Sequence, residues 1–216
     1  MISSLFSSPI SFFIAILSLV VAITIHEFSH AYAAERLGDP TPRLQDRLTL
    51  NPLRHLDMFG TLFIVLFGFG WGKPVVFDPY NLKNPRRDAA IISFAGPLSN
   101  LFLAALLAIT LKLSVLFHLS WMTALGAYIF IPIISFNVML AVFNLIPIHP
   151  LDGFKIVGGI LPEDKAQEWY GLEKYGIIFL LLMILPLGNQ SLLGMIVQPV
   201  ISFILGFLIG YPFIST

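Results

Sequence analysis

The sequence predicts an all-α integral membrane protein with about five transmembrane helices and a small re-entrant or β-hairpin element after the first. Three observations carry this prediction. Hydrophobic residues make up 57% of the 216 positions and charged residues only 11%, against about 25% charged in a soluble domain. The charges are also clumped. The stretches 1–25, 89–111 and 175–216 carry none, and 113–151 holds only two histidines. Each run exceeds the roughly 20 residues that cross a bilayer. Third, the proline- and glycine-punctuated polar stretches fall between these runs, and the mean hydropathy of +0.88 leaves no room for a water-soluble core.

Taken in order, the first span is expected over 9–37. Gly38-Asp39-Pro40 ends it, and Arg36 marks the membrane surface. Its N-terminal part lacks a positive n-region and runs directly into a polar motif, so it reads as a retained helix and not as a cleaved signal. The element at 60–77 is apolar but short and carries Gly60, Gly68, Gly70 and Gly72. Irregular backbone at membrane depth is tolerated only where protein or water satisfies it. Lys73 to Phe77 reads as a short strand there. Further spans are expected over 89–113, 121–147, 175–187 and 191–212, the last two divided by the turn signal Pro186-Leu187-Gly188-Asn189. The whole of 1–216 reads as a single multi-pass domain.

Of the 12 Lys and Arg, eight fall between Arg36 and Arg87, three between Lys155 and Lys174, and only Lys112 is left for the other side. By the positive-inside rule, the loops after the first and third spans face the cytoplasm of a cell (inner) membrane. There is no cysteine. That excludes disulfides and thiolate ligands and leaves histidine and carboxylate to hold any metal. No basic stripe exists, so nucleic acid is not an expected partner.

The first span contains His26-Glu27-Phe28-Ser29-His30. Histidines four apart share one helix face and can hold one metal ion, and the adjacent glutamate can serve as a general base toward water. His30 lies six residues before Arg36, about 9 Å along the axis at 1.5 Å per residue. The motif is therefore inside the hydrocarbon layer, near one face. Ionisable groups at that depth are costly and are rarely kept without use. Two histidines do not complete a catalytic site, for which three protein ligands are usual. Asp152 ends an apolar run on the same side as His30. Gly153 frees the backbone beside it, and Pro147 and Pro150 break the preceding helix.

Three stretches together resemble the site-2 proteases, the intramembrane zinc metalloproteases, and most of all their compact bacterial members. They are the His26–His30 motif in a membrane helix, Gly96-Pro97-Leu98-Ser99-Asn100, and the run from Asn144 to Asp152-Gly153. Arg36 to Pro40, Leu48 to Leu53 and Gly72 to Val75 are similar as well. The resemblance implies one Zn2+ ligated by His26, His30 and Asp152, with Glu27 as general base and then proton donor to the leaving amine. It implies that Asn144 hydrogen-bonds the substrate carbonyl. The expected substrate is a transmembrane protein or peptide in the bilayer, cleaved in or near its membrane segment, for regulated proteolysis or clearance of signal-peptide remnants. The strand within 60–77 is expected to pair with locally unwound substrate. His149 stands where proline is commoner in similar proteins, which leaves open whether it joins the metal.

Several polar residues carry blander readings. Asn100 is expected to tie the second span to the first, His55 to be a solvated loop residue or a neighbour of the site, His118 to be interfacial, and Lys73 to anchor at the surface. The rival functions are a catalytically silent membrane metal-binding scaffold, a transporter, and a protease acting at the membrane surface. The scaffold has no need of Glu27. A transporter would show an inverted repeat, and the His26–His30 motif has no counterpart in the second half.

Overall fold

Four of the apolar runs form helices long enough to cross a membrane: α1 (Pro9–Leu37), α4 (Pro85–Leu116), α5 (Ser120–Asn144) and α9 (Leu192–Ile209). The computed structural model describes residues 8–67, 70–187 and 190–210. Shorter helices lie between the long ones: α2 (Thr41–Leu44), α3 (Met58–Phe67), α6 (Asp152–Ile160), α7 (Glu163–Tyr170) and α8 (Glu173–Ile184). The expected span at 175–187 corresponds to α8, whose 12 residues extend about 18 Å, short of the roughly 30 Å hydrocarbon layer. An antiparallel pair of two-residue strands, Pro186–Leu187 and Gln190–Ser191, joins α8 to α9. Gly188 and Asn189 of the expected turn lie outside the described residues.

Small residues let the long helices approach. Ala22, Ala31 and Ala34 of α1, Ala104 of α4 and Ala141 of α5 are fully buried, and close approach of this kind supplies dispersion contact where lipid removes the hydrophobic drive between helices. A second apolar cluster joins Ala108 and Leu111 of α4, Ile134, Val138 and Val142 of α5, and Val197 and Ile201 of α9. Phe13, Phe102 and Phe203 point outward, as side chains facing lipid do. In α5 the turn Gly126–Phe130 widens to a π-helix just before Pro132, which has no N–H to continue the ladder.

The motif helix α1 has a well-defined end. Gly38 adopts φ +106°, its N–H donates to Glu35 O, and the Asp39 N–H donates to Ala34 O. This is a Schellman closure, which favours glycine at the left-handed position. Asp39 then organises the polar layer. It is fully buried. Its Oδ1 accepts from the Thr41 N–H, the Thr41 hydroxyl and Asn81 Nδ2, and its Oδ2 accepts from the Asp78 N–H at 2.8 Å. One carboxylate thus ties the loop after α1 to the segment before α4.

The element expected at 60–77 takes a different form. Its first part is the helix α3, opened by Asp57 Oδ1 accepting from the Gly60 N–H. Gly68 lies outside the described residues. Residues 73–78 are extended, but the only β-pairing they adjoin among the described residues is the single antiparallel bridge Leu56–Gly72. Pro74 has no N–H for a ladder. The polar groups of this strap are satisfied by side chains instead: Val75 N–H by Glu27, Lys73 O by Arg47, and Asp78 N–H by Asp39.

Burial pushes the Asp39 carboxyl up, but the four donors outweigh it and hold its pKa below the ordinary 3.8. A lowered carboxyl stabilises the fold above the unfolded value, and this contribution is lost as pH falls through the folded one. Asp39→Ala is expected to cost about 1–3 kcal/mol by orphaning these donors. It should also remove part of the acid sensitivity below about pH 4. Melting curves in detergent at neutral and acidic pH read both effects.

Candidate metal centre

His26 and His30 lie one turn apart on α1, both buried, with ring centroids 4.5 Å apart and planes at 90°. Each ring is held from behind. His26 Nδ1 lies 2.7 Å from Asn100 Oδ1, and His30 Nδ1 lies 2.7 Å from the carbonyl oxygen of Ile92, both on α4. The Ile92 carbonyl can only accept, so His30 Nδ1 carries the proton. The Asn100 amide nitrogen donates to Ala22 O at 3.0 Å and Asn137 Oδ1 at 2.7 Å. Its oxygen therefore faces His26, whose Nδ1 is also protonated. In both neutral rings the lone pair is then on Nε2.

Both Nε2 atoms face Asp152 Oδ2, at 3.1 and 3.3 Å. That oxygen is buried and has no hydrogen-bond donor. Three acceptor atoms converge with no proton between them. One protonated ring would not resolve the contact, because the other lone pair would still oppose the same oxygen. A cation resolves it. Ligand atoms about 2.0–2.1 Å from a tetrahedral zinc are about 3.3 Å apart, so this donor set fits zinc in spacing and in chemistry.

Two glycines allow the approach. A Cβ on Gly96 would lie 2.5 Å from His30 Nε2 and 2.8 Å from His26 Cε1, so α4 can back the imidazoles only with glycine there. A Cβ on Gly153 would lie 2.4 Å from the carbonyls of Leu145 and Ile146. Glycine thus lets α6 start against the end of α5, and Asp152 is the first residue of α6, where the helix dipole favours a carboxylate.

Glu27 is partly buried beside this cluster. Its Oε2 accepts from the Val75 N–H at 2.9 Å and lies 3.9 Å from Arg47 Nη2. Asn144, the last residue of α5, donates from Nδ2 to Leu140 O on its own helix, so it is not in the cluster formed by the other four expected residues. His149 is not in it either. Its Nδ1 lies 3.6 Å from Glu173 Oε1, its ring packs edge-on against Phe154, and Gly176 of α8 leaves room for its Cβ.

Two expectations need correction. Asn100 does tie α4 to α1 through Ala22, but it also orients a ring of the cluster. His55 is not solvated. It is fully buried, its Nε2–H donates to Thr49 O, and burial lowers its pKa, which keeps it neutral. Asn137 and Arg47 were not singled out from the sequence. Asn137 had a readable signal, because an amide at the middle of an apolar span needs a partner, and Asn100 is the matching amide on α4.

The family model for peptidase family M50 matches residues 14–128. YwhC of Bacillus subtilis, described as a candidate zinc metalloprotease, is 41% identical over 188 residues, covering 84% of each chain. Rip2 of Mycobacterium tuberculosis, described in the same way, is 30% identical over 192 residues, covering 86% of this chain and 72% of its own. Rip2 of Mycolicibacterium smegmatis is 29% identical over 189 residues, covering 83% of this chain and 70% of its own. No solved structure matches the chain. With the matched region spanning both histidines, Glu27 and the α4 residues that hold the rings, the chain belongs to peptidase family M50.

Proposed function

We propose that this chain is an intramembrane zinc endopeptidase that hydrolyses peptide bonds in or near the transmembrane segments of membrane proteins. His26, His30 and Asp152 are the zinc ligands, Glu27 is the general base and Asn144 binds the substrate carbonyl. The observation that carries this reading is the convergence of three unprotonated donor atoms beside an unligated glutamate, within a helix of 29 residues that is apolar over most of its length. The printed descriptions of the relatives as zinc metalloproteases support the choice of metal.

A zinc ion bound there supplies a Lewis acid and brings the pKa of its water to about 7. The chain's own residues do the rest. Glu27 takes the proton from the attacking water and returns it to the leaving amine. Asn144 has a second amide N–H beyond the one on Leu140 O, and this donor is available to the carbonyl oxygen as it gains charge. A neutral amide suits a low-dielectric site, where a free cation would be costly. Asn100 holds His26 in the tautomer that ligation needs.

The whole of 1–216 acts as one multi-pass domain in the cell membrane, with the site opening toward the cytoplasm, as the distribution of Lys and Arg supports. The stretch 58–78 is the re-entrant element, and its extended part receives locally unwound substrate by strand pairing. The physiological role is regulated proteolysis or removal of signal-peptide remnants.

Glu27→Gln is expected to bind one zinc per chain like wild type and to lose cleavage of single-span substrates by at least about a hundredfold. Zinc analysis and gel assays on the purified proteins check this, and zinc without cleavage by the wild type would favour the silent scaffold. Asp152→Ala should lose most of its zinc while His149→Ala keeps it; the reverse would reassign the third ligand. Asn100→Leu should weaken zinc binding about 10- to 100-fold. Asn100→Asp, which keeps an acceptor for His26, should retain it in a competitive chelator titration.

A further inference from the structure

Arg47 is the only Lys or Arg buried among the described residues, at 3% exposure, and the catalytic scheme above does not use it. Burying a guanidinium is costly unless its charge and its N–H groups are met. Its Nη1 donates to Arg54 O and its Nη2 to Lys73 O, and Nη2 also faces Glu27 Oε2 at 3.9 Å. The other loop arginines nearby pair elsewhere, Arg43 with Glu35 and Arg54 with Asp46. Arg47 therefore joins three separate segments at one point: the 47–54 loop, the 72–75 strap and the motif helix.

The strap is fixed only by a few polar contacts. The Lys73 N–H donates to His55 O at 2.8 Å, Lys73 O receives Arg47, and the Val75 N–H donates to Glu27 Oε2. Among the described residues only Oε2 of Glu27 receives a hydrogen bond, which leaves Oε1 for a proton in transit. We propose that Arg47 is the positioning residue of the general base. By pinning the Lys73 carbonyl it sets where the Val75 N–H stands, and with its own charge it holds Glu27 Oε2, so that the carboxylate is kept in one orientation with Oε1 free. The planar fork of arginine can meet two carbonyls and a carboxylate at once, which a lysine ammonium cannot do in the same geometry. This inference rests on the reading of Glu27 as the base.

Arg47→Met and Arg47→Lys test it, with wild type and Glu27→Gln alongside, using single-span helical peptides in detergent. Misplacement of a catalytic group by about 1 Å can lower a rate a hundredfold. Arg47→Met is expected to keep one zinc per chain and a KM within about twofold of wild type while kcat falls about 10- to 100-fold. Arg47→Lys, which keeps charge and stem, should lose about tenfold in kcat at full zinc occupancy. A wild-type kcat in Arg47→Met, a rise in KM alone, or loss of zinc together with activity would each overturn the proposal. If Arg47→Met does not fold, a wild-type kcat in Arg47→Lys overturns it. If Glu27→Gln cleaves as fast as wild type, the base assignment itself falls and this inference with it.

Discussion

The fold depends on keeping three acceptor atoms together inside a membrane. His26 Nε2, His30 Nε2 and Asp152 Oδ2 stand 3.1–3.3 Å apart along the contacts to the aspartate, and nothing in the protein supplies a proton between them. Left alone they repel. The surrounding architecture is arranged to hold them there. α4 fixes both rings through one side-chain amide and one backbone carbonyl, Gly96 lets it come close enough to do so, and the break between α5 and α6 delivers the aspartate from more than a hundred residues away. A protein that pre-forms such a cluster stores a demand for a cation, and that demand defines the site.

The same logic extends outward in two directions. Behind His26, the amides of Asn100 and Asn137 link α1, α4 and α5 through fully buried hydrogen bonds. Such a network specifies one arrangement of helices, since any other would leave amide groups unpaired in an apolar environment. Toward the polar layer, Asp39 and Arg47 gather backbone groups of the loop and the strap. The ligands are thus set by amides within the bundle, and the general base by charged groups at its edge.

Much of this was legible in the sequence, for physical reasons. Uncharged runs longer than a bilayer is thick announce spans, and α1, α4, α5 and α9 follow them. The motif from His26 to His30 is a local pattern, so its geometry follows from helix periodicity. Asp152 was found from its place at the end of an apolar run on the matching side. What was not legible depended on long-range contact. His149 and Asp152 are three residues apart and equally placed by hydropathy, and only the packing of α8 against His149 separates them. The strand expected near Val75 is an extended strap because side chains far away in sequence, Glu27, Arg47 and Asp39, take its polar groups. Arg47 lies in a loop whose arginines look alike, and burial alone distinguishes it.

X-ray absorption at the zinc edge of the purified wild-type protein tests the central claim most directly. The account predicts one zinc per chain, with two imidazole nitrogens and a carboxylate oxygen at about 2.0–2.2 Å and no sulfur. A protein isolated without zinc, or a zinc shell lacking the two imidazoles, would contradict it.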